Sequence, residues 1–281
     1  MSRSRPGGGA IVTAAGIAGA AGFVIGSRHL LSRQAAKARA VIGKPLGEQA
    51  LQADRVYKKR FGSEVDLLML GDSIAAGLGA DLPSHTLGAR LAKYVAKATE
   101  RSVRLRSVAV VGSESSALAG QIESLPPSYR PDVAVVIVGG NDVTHRIPVA
   151  DSVRQLTEAI VALAERGAAV VVGTCPDLGM LRPVPQPLRA LGSRASRQLA
   201  SAQQAAALEQ GAYAVSLSTV VGPFFITNPD EMFSLDRFHP SSTGYKRTAK
   251  AILPSVLVAL GVTEESPLGH HAPVTPQRPI Q

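Results

Sequence analysis

Residues 71–73, Gly-Asp-Ser, follow directly on the apolar run of residues 66–70 (DLLML) and hold the first candidate for chemistry. Ser73 could act as a nucleophile, because a serine hydroxyl attacks an acyl carbon once a neighbouring base removes its proton. The same residue could instead cap a helix, since serine side chains accept hydrogen bonds from the first N–H groups of helices. Other segments of the chain decide between these two interpretations.

Three further segments place glycines or polar side chains after apolar runs or before a helical pattern. Gly112 follows the second apolar run, and without a Cβ its backbone N–H could approach a ligand closely. Asn141 follows two glycines after the third run, where it could donate from its amide group or simply form a turn. Asp236 and, three residues later, His239 precede the last helical pattern.

Short apolar runs alternate with longer segments of helical spacing along most of the chain. The runs are rich in valine and apolar on both faces, which is typical of parallel strands covered by helices on both sides. The runs lie at 66–70, 107–111, 133–138, 168–173 and 212–217, and the helical patterns at 85–100, 114–125, 149–166, 188–210 and 242–260. This alternation predicts an α/β fold: a three-layer α/β/α sandwich with a parallel sheet of about five strands. Ligands of such sheets bind beyond the carboxyl ends of the strands, where Ser73, Gly112 and Asn141 fall.

Taken in order, the four segments resemble the motifs of the GDSL, or SGNH, family of serine esterases and lipases. The matches are GDS at 71–73, Gly112 in VVGSES, GGND at 139–142 and DRFH at 236–239, spread over about residues 65–260. The resemblance implies a flavodoxin-like sheet, with Ser73 as the nucleophile and Asp236 and His239 completing a catalytic triad. It also implies an oxyanion hole formed by Ser73, Gly112 and Asn141.

The implied triad defines the expected reaction. His239 would take the proton of Ser73 during attack and later give it to the leaving group, while Asp236 would hold the tautomer of the imidazole ring. We therefore expect a serine esterase that hydrolyses carboxylic esters of short or medium acyl chains through an acyl-enzyme. One alternative is an acyltransferase or deacetylase that uses the same residues on an envelope glycan or lipid. Another is an inert SGNH-like domain that binds a glycan or lipid without turnover.

A long loop at residues 175–194 (CPDLGMLRPVPQPLRALGSR) leaves the fourth predicted strand at the edge of the sheet where the site should lie. Such a loop could form one wall of an acyl pocket, lined by Leu178, Met180 and Leu181. It could equally be a connector packed on the core.

Motifs for other chemistries are missing from the sequence. Ala75 stands where a G-x-S-x-G motif requires its second glycine, and neither G-x-G-x-x-G nor G-x-x-x-x-G-K-[ST] occurs. His270 and His271 fall in the C-terminal tail, and no metal-ligand cluster is visible. We expect no cofactor and no metal ion.

The net charge of +9 resides in the N-terminal part of the chain. Residues 1–60 hold 11 Lys and Arg against 2 acidic residues, whereas residues 61–281 hold 19 of each sign. The neutral remainder has few aromatic side chains, so nucleic acid is not an expected partner. Residues 7–27 carry no charge and lie between basic residues, as in a signal peptide or a marginal membrane anchor, although a flexible Gly/Ala leader is also possible.

These features divide the chain into three predicted parts. Residues 1–44 would be a targeting or membrane-anchor segment, residues 45–262 the SGNH hydrolase domain, and residues 263–281 a disordered, Pro-rich tail. We expect a protein that is anchored in the membrane or exported to the cell envelope, with either orientation open. No residue with a proposed catalytic role lies in residues 1–44.

Overall fold

A computed structural model describes residues 9–264 and 266–274 of the 281-residue chain. It contains seven strands: β1 (Arg55–Tyr57), β2 (Gly62–Gly71), β3 (Arg101–Ser107), β4 (Val133–Ile137), β5 (Ala169–Gly173), β6 (Tyr213–Val215) and β7 (His270–His271). The helices are α1 (Gly9–Ile42), α2 (Ser73–Ala76), α3 (Leu87–Thr99), α4 (Leu118–Glu123), α5 (Gly140–His145), α6 (Val149–Glu165), α7 (Leu188–Glu209), α8 (Leu217–Val220), α9 (Gly222–Thr227), α10 (Pro229–Met232) and α11 (Ser242–Ala259). Short 3-10 turns lie at Pro83–His85, Ser115–Ala117 and Leu178–Met180.

All seven strands form one sheet, in the order β1-β3-β2-β4-β5-β6-β7. The five central strands are parallel, while β1 and β7 pair antiparallel with β3 and β6 at the two edges. Counted along the chain, the parallel strands follow the flavodoxin-like order 2-1-3-4-5. The predicted three-layer sandwich is confirmed, with two short antiparallel edge strands added to its parallel core.

Strand β2 shows how the sheet acquires a core on each face. Side chains alternate between the faces of a strand, so Leu67 and Met69 belong to one buried cluster, and Leu68 and Leu70 to the other. The first cluster includes side chains of α3 and α11, and the second includes side chains of α4 and α6. Because both faces are covered, β4, β5 and the second half of β2 contain nearly continuous apolar sequence.

The second predicted strand, at residues 107–111, lies too far along the chain. Strand β3 ends at Ser107, and its sequence RSVRLRS alternates polar with apolar residues because it lies beside the short edge strand β1. The apolar residues that follow continue along β2 without regular strand geometry. There the N–H of Val108 donates to the carbonyl of Met69, and the N–H of Val110 donates to the carbonyl of Gly71.

Part of the predicted tail, residues 266–274, is described by the structure and contains a short strand. His270 and His271 form β7, paired with Val215 and Ala214 of β6. The His270 ring is further held by a 2.8 Å hydrogen bond between its Nδ1 and Ser255 Oγ on α11. This pairing satisfies the outer edge of β6, which would otherwise leave its backbone polar groups without partners. Residues 275–281 of the predicted tail lie outside the described residues.

The N-terminal segment forms a helix, α1, over residues 9–42, and residues 1–8 lie outside the described residues. Among the residues that the structure describes, no helix combines the length and the apolar character that crossing a membrane requires. The membrane-anchored or exported location stays a prediction, as do the domain limits at residues 44 and 262.

Gly71 marks the point where β2 must turn sharply into the site, and it generates a prediction about stability. Its φ is +124°, and a Cβ built on it would lie 1.8 Å from the carbonyl oxygen of Ile137. We expect Gly71→Ala to lower the free energy of unfolding by about 3 kcal/mol or more, measured by urea denaturation. Gly120→Ala is the control, because a Cβ there meets no atom within 4 Å, and it should stabilise the protein by up to about 1 kcal/mol. Equal urea midpoints for both variants would contradict the proposed constraint.

Candidate active site

Ser73 is the first residue of the short helix α2, immediately beyond the carboxyl end of β2. Asp72 precedes it in an extended conformation and caps the helix, because its Oδ1 accepts a 2.9 Å hydrogen bond from the N–H of Ile74. The helix cap is therefore aspartate, which leaves the Ser73 hydroxyl available for another partner. The N–H of Ser73 lies in the first turn, where helical N–H groups lack an intrahelical acceptor.

Asp236 and His239 lie on a tight loop between α10 and α11. The loop is closed by hydrogen bonds from the N–H of Ser234 to the carbonyl of His239 and from the N–H of Arg237 to the carbonyl of Ser234. Within it, Asp236 Oδ1 accepts three hydrogen bonds of 2.9 Å, from Ser234 Oγ and from the N–H groups of Phe238 and His239. The carboxylate is thus fixed by its own loop before it meets the imidazole ring.

A chain of two hydrogen bonds joins Asp236, His239 and Ser73. The distances are 2.5 Å between Asp236 Oδ2 and His239 Nδ1, and 2.9 Å between His239 Nε2 and Ser73 Oγ. An ionised carboxylate only accepts hydrogen bonds, so Nδ1 donates to Asp236, and Nε2 of the neutral ring accepts from the serine hydroxyl. In this arrangement the imidazole can remove the serine proton, and the carboxylate can stabilise the positive ring that results.

The environment of Asp236 favours its ionised form. Burial by itself would raise the pKa of this carboxyl group, which is only 4% exposed. Hydrogen bonds from the His239 ring and from the N–H groups of His239 and Phe238 outweigh that effect, so that the pKa of Asp236 is lowered. A carboxylate that stays ionised is the form needed to support a protonated imidazole.

The two other predicted oxyanion-hole residues differ in their position. Asn141, in the first turn of α5, lines the same cavity as Ser73, and its Nδ2 donates a 2.9 Å hydrogen bond to the carbonyl of Ser113. Because the amide nitrogen carries two hydrogens, this bond orients the group and uses only one of them. Gly112 is not among the residues that line the cavity. Its φ is +85° and a built Cβ meets no atom within 4 Å, so the backbone conformation, rather than close packing, accounts for glycine there.

The cavity beside Ser73 and His239 has mainly apolar walls. The predicted residues Leu178, Met180 and Leu181 all line it, and they come from the 3-10 turn in the loop between β5 and α7 and from the residue that follows this turn. The opposite walls come from α8, α9 and the loop that carries His239, with the apolar side chains Leu217, Val221, Phe225, Phe233 and Phe238. The structure therefore brings the predicted substrate-binding residues to the predicted catalytic ones, while their role in binding stays a prediction.

Two further buried carboxylates, Asp72 and Asp142, lie near the site but make no hydrogen bond with the imidazole ring. Asp142 accepts from the N–H of Ser115 and, at 2.7 Å, from Ser152 Oγ, and it thereby ties the loop after Gly112 to α6. Burial raises the pKa of Asp72 to about 6, although the N–H of Ile74 and the charge of His239 act in the opposite direction. Asp236 is thus the carboxylate in contact with His239, as expected from its place in the DRFH segment.

Two glutamines that the sequence analysis did not single out hold the edge of the sheet beneath the site. The side chain of Gln121 accepts from the N–H of Gly71 at 2.9 Å and donates to the carbonyl of Gly71 at 2.8 Å. Gln203 accepts from the N–H of Cys175 and donates to the carbonyl of Val138. Each glutamine lies among the buried, mainly apolar residues of its helix. A polar residue at such a position in the sequence indicates a buried hydrogen-bonding role.

Within residues 9–264 and 266–274, no group of three or more His, Cys, Asp or Glu side chains could hold a metal ion.

The comparisons with known proteins agree with this geometry. A family model described as GDSL-like lipase/acylhydrolase matches residues 69–247. The GDSL-like esterase Rv1075c of Mycobacterium tuberculosis (strain H37Rv) is 37% identical in an alignment of 284 residues. This alignment covers 96% of this chain and 88% of that protein. The chain therefore belongs to the GDSL-like lipase/acylhydrolase family and is a hydrolase that acts on ester bonds.

Solved structures with low sequence identity show the same fold. The lipase/acylhydrolase from Enterococcus faecalis is 20% identical with a TM-score of 0.56, and the match covers 72% of this chain and 100% of that one. The acetylxylan esterase Axe2 from Geobacillus stearothermophilus is 18% identical with a TM-score of 0.53, and the match covers 72% of this chain and 96% of that one.

The raised pKa of Asp72 predicts a pH-dependent loss of stability. Between the ordinary pKa of 3.8 and about 6, the unfolded chain loses a proton that the folded protein keeps, so the free energy of unfolding falls as the pH rises through this window. Asp72→Asn removes this effect while keeping the oxygen that caps α2. The stability of Asp72→Asn relative to the wild type should increase by about 2 kcal/mol from pH 4 to pH 7, measured by urea denaturation. A difference that does not change with pH would show that Asp72 has the same pKa in the folded and the unfolded protein.

Proposed function

We propose that the protein hydrolyses carboxylic esters with short or medium acyl chains, with Ser73 as the nucleophile. The observation that carries this proposal is the chain of hydrogen bonds from Asp236 through His239 to the Ser73 hydroxyl, at the wall of an apolar cavity. An isolated serine cap or a surface histidine would need neither the second hydrogen bond nor the cavity.

The proposed reaction begins with attack of Ser73 Oγ on the ester carbonyl carbon. His239 Nε2 takes the hydroxyl proton as the bond forms, and Asp236 stabilises the imidazolium ion. When the tetrahedral intermediate collapses, the bond to the alcohol oxygen breaks and His239 gives its proton to that oxygen. Water then attacks the acyl-enzyme with His239 again as the base, which releases the carboxylic acid and restores Ser73.

The negative oxygen of the intermediate needs donors that are already in place. The N–H of Ser73 and the second N–H of the Asn141 amide are the proposed donors, since Ser73 and Asn141 lie beside one cavity. Loss of one such donor typically lowers turnover by about a hundredfold or more. Gly112 stays a predicted third donor. The chain just before it is hydrogen-bonded along β2 to Gly71, which supports a place near the site.

The proposed substrate follows from the walls of the cavity. Leucine, methionine and phenylalanine side chains favour an acyl chain over a sugar ring, because they offer no hydrogen-bond partners for hydroxyl groups. Deacetylation of a glycan is a second candidate, because acetylxylan esterases share this fold. Acyl transfer is a variant of the proposed reaction that would use the same residues, with another acceptor in place of water. The inert-domain alternative is disfavoured, because a domain that only binds ligands needs no base on its serine.

The first prediction of this proposal is covalent labelling of Ser73 by a fluorophosphonate. An activated serine attacks phosphorus and displaces fluoride, so mass spectrometry should find the phosphonyl adduct on the peptide that contains residues 71–79. Ser73→Ala is the matched control and should show no adduct there. Folded wild-type protein that stays unlabelled, or is labelled at another serine, would refute the proposed nucleophile.

A second prediction separates Asp236 from the nearby buried Asp142. Asp236→Asn should lower kcat on a soluble ester by about a thousandfold or more, because an amide cannot hold the reactive tautomer or stabilise the imidazolium ion. Asp142→Asn should retain kcat within about tenfold while losing stability, since Asp142 accepts its hydrogen bonds from Ser115 and Ser152 and makes none to His239 among the described residues. Steady-state kinetics together with urea denaturation distinguish the two effects. The opposite pattern would assign the role of Asp236 to Asp142.

A further inference from the structure

The N-terminal helix α1 contacts the hydrolase fold where the cavity-wall loop enters α7. We define the pocket loop as residues 176–187, which connect β5 to α7. Gln34 on α1 makes two hydrogen bonds there: its Nε2 donates to the carbonyl of Gln186 at 2.6 Å, and its Oε1 accepts from the N–H of Leu188 at 3.1 Å. Ala38, one helical turn further along α1, is buried on the same side of the helix.

The two bonds satisfy groups that the pocket loop cannot satisfy itself. Leu188 is the first residue of α7, so its N–H has no acceptor within the helix. The preceding residue, Pro187, provides no side-chain cap. Gln34 therefore acts as a cap supplied from another part of the chain, and its amide group spans Pro187 by holding the residues on either side.

Hydrogen bonds connect this contact to the cavity wall. At its other end the pocket loop is held by α7, because the N–H of Leu178 donates to Ser196 Oγ at 3.1 Å. Between the two ends, the N–H of Leu181 donates to the carbonyl of Leu178, and the N–H of Val184 donates to the carbonyl of Leu181. The segment that carries the cavity-lining Leu178, Met180 and Leu181 is thus fixed between α7 on one side and Gln34 on the other.

We propose that Gln34 is a positioning residue which holds the pocket loop in place and thereby determines how well long acyl chains bind. This inference rests on the proposed esterase function. Gln34 touches none of the proposed reacting atoms, so it should affect the fit of the acyl chain and leave the attack by Ser73 unchanged. Removal of residues 1–44 would leave all proposed catalytic residues and still alter acyl-chain preference.

The test uses the full-length protein with Gln34→Ala, Gln34→Glu and the control Ser32→Ala. Ser32 is two positions away on α1 and exposed, and its Oγ donates within the helix to the carbonyl of Arg28. For each protein, kcat and KM are measured on p-nitrophenyl acetate and p-nitrophenyl octanoate. The rate of labelling by a small fluorophosphonate and the hydrogen exchange of the peptide containing Leu188 are measured in parallel.

Gln34→Ala should raise KM for the octanoate ester by about three- to tenfold, because the loop loses its hydrogen-bonded support. Its kcat/KM on the acetate ester and its labelling rate should stay within about twofold of the wild type. The amide of Leu188 should exchange faster. Gln34→Glu should also raise this KM, because its carboxylate still accepts from Leu188 but places an acceptor oxygen against the carbonyl of Gln186 in place of a donor. Ser32→Ala should behave as the wild type.

The decisive quantity is the ratio of kcat/KM on the octanoate ester to kcat/KM on the acetate ester. A ratio in Gln34→Ala equal to that of Ser32→Ala would overturn the inference. Alanine is a strong helix former, so Gln34→Ala should fold; if it does not, the same ratio measured on Gln34→Glu decides the question. Failure of the wild type to label or to hydrolyse either ester would instead refute the proposed function. In that case, unchanged hydrogen exchange at the amide of Leu188 in the Gln34 variants would separately refute the role of Gln34 in holding the pocket loop.

Discussion

The hydrogen bond between the Ser73 hydroxyl and His239 Nε2 joins residues 166 positions apart, and both of its ends are held by buried backbone contacts. At the Ser73 end, β2 pairs with β4, and the N–H of Asp72 donates to the carbonyl of Ile137 at 3.0 Å. At the His239 end, the Asp236 carboxylate accepts three hydrogen bonds from its own loop. Because a displacement of about 1 Å in such a pair can cost a hundredfold in rate, the rigidity of both ends is the condition for any chemistry here.

Rigid placement of a polar group at the edge of a buried sheet creates a second requirement. Where the chain leaves a parallel strand, backbone N–H and C=O groups lose their neighbours, and each unpaired buried group is costly. Gln121 satisfies both groups of Gly71, while Gln203 satisfies Cys175 and Val138. The side-chain amides imitate a neighbouring strand, so that α4 and α7 hold the site in place as well as covering the sheet.

Sequence reasoning succeeded where local pattern decides structure. Apolar runs with both faces buried located β2, β4 and β5, and the residues after those strands necessarily meet at one edge of the sheet. It misplaced β3, because RSVRLRS carries its apolar residues on alternate positions, whereas the next segment is a stronger apolar run without regular strand pairing. Strand β7 was missed because two histidines form a strand only through the exposed edge of β6.

The candidate site shows the same division between local and distant causes. The order of the four motifs was enough to predict that Ser73, Asp236 and His239 belong together. The backbone partner of Gln121 lies 50 positions away and those of Gln203 lie 28 and 65 positions away, so no local pattern could reveal them. The contact between Gln34 and Gln186 spans 152 positions and depends on where α1 lies, which composition alone leaves open.

Different parts of the fold therefore position the reacting groups and shape the cavity. Ser73 follows a central strand, and Asp236 and His239 lie on a loop held by several hydrogen bonds to the Asp236 carboxylate. The cavity walls come instead from a 3-10 turn and the short helices α8 and α9, which outer loops connect to the sheet. Changes in those outer segments can alter the size of the acyl chain that fits without moving the Ser73 and His239 pair. Helix α1 meets the molecule at one of these outer segments, which gives the N-terminal region a physical route to substrate preference without any contact with the reacting atoms.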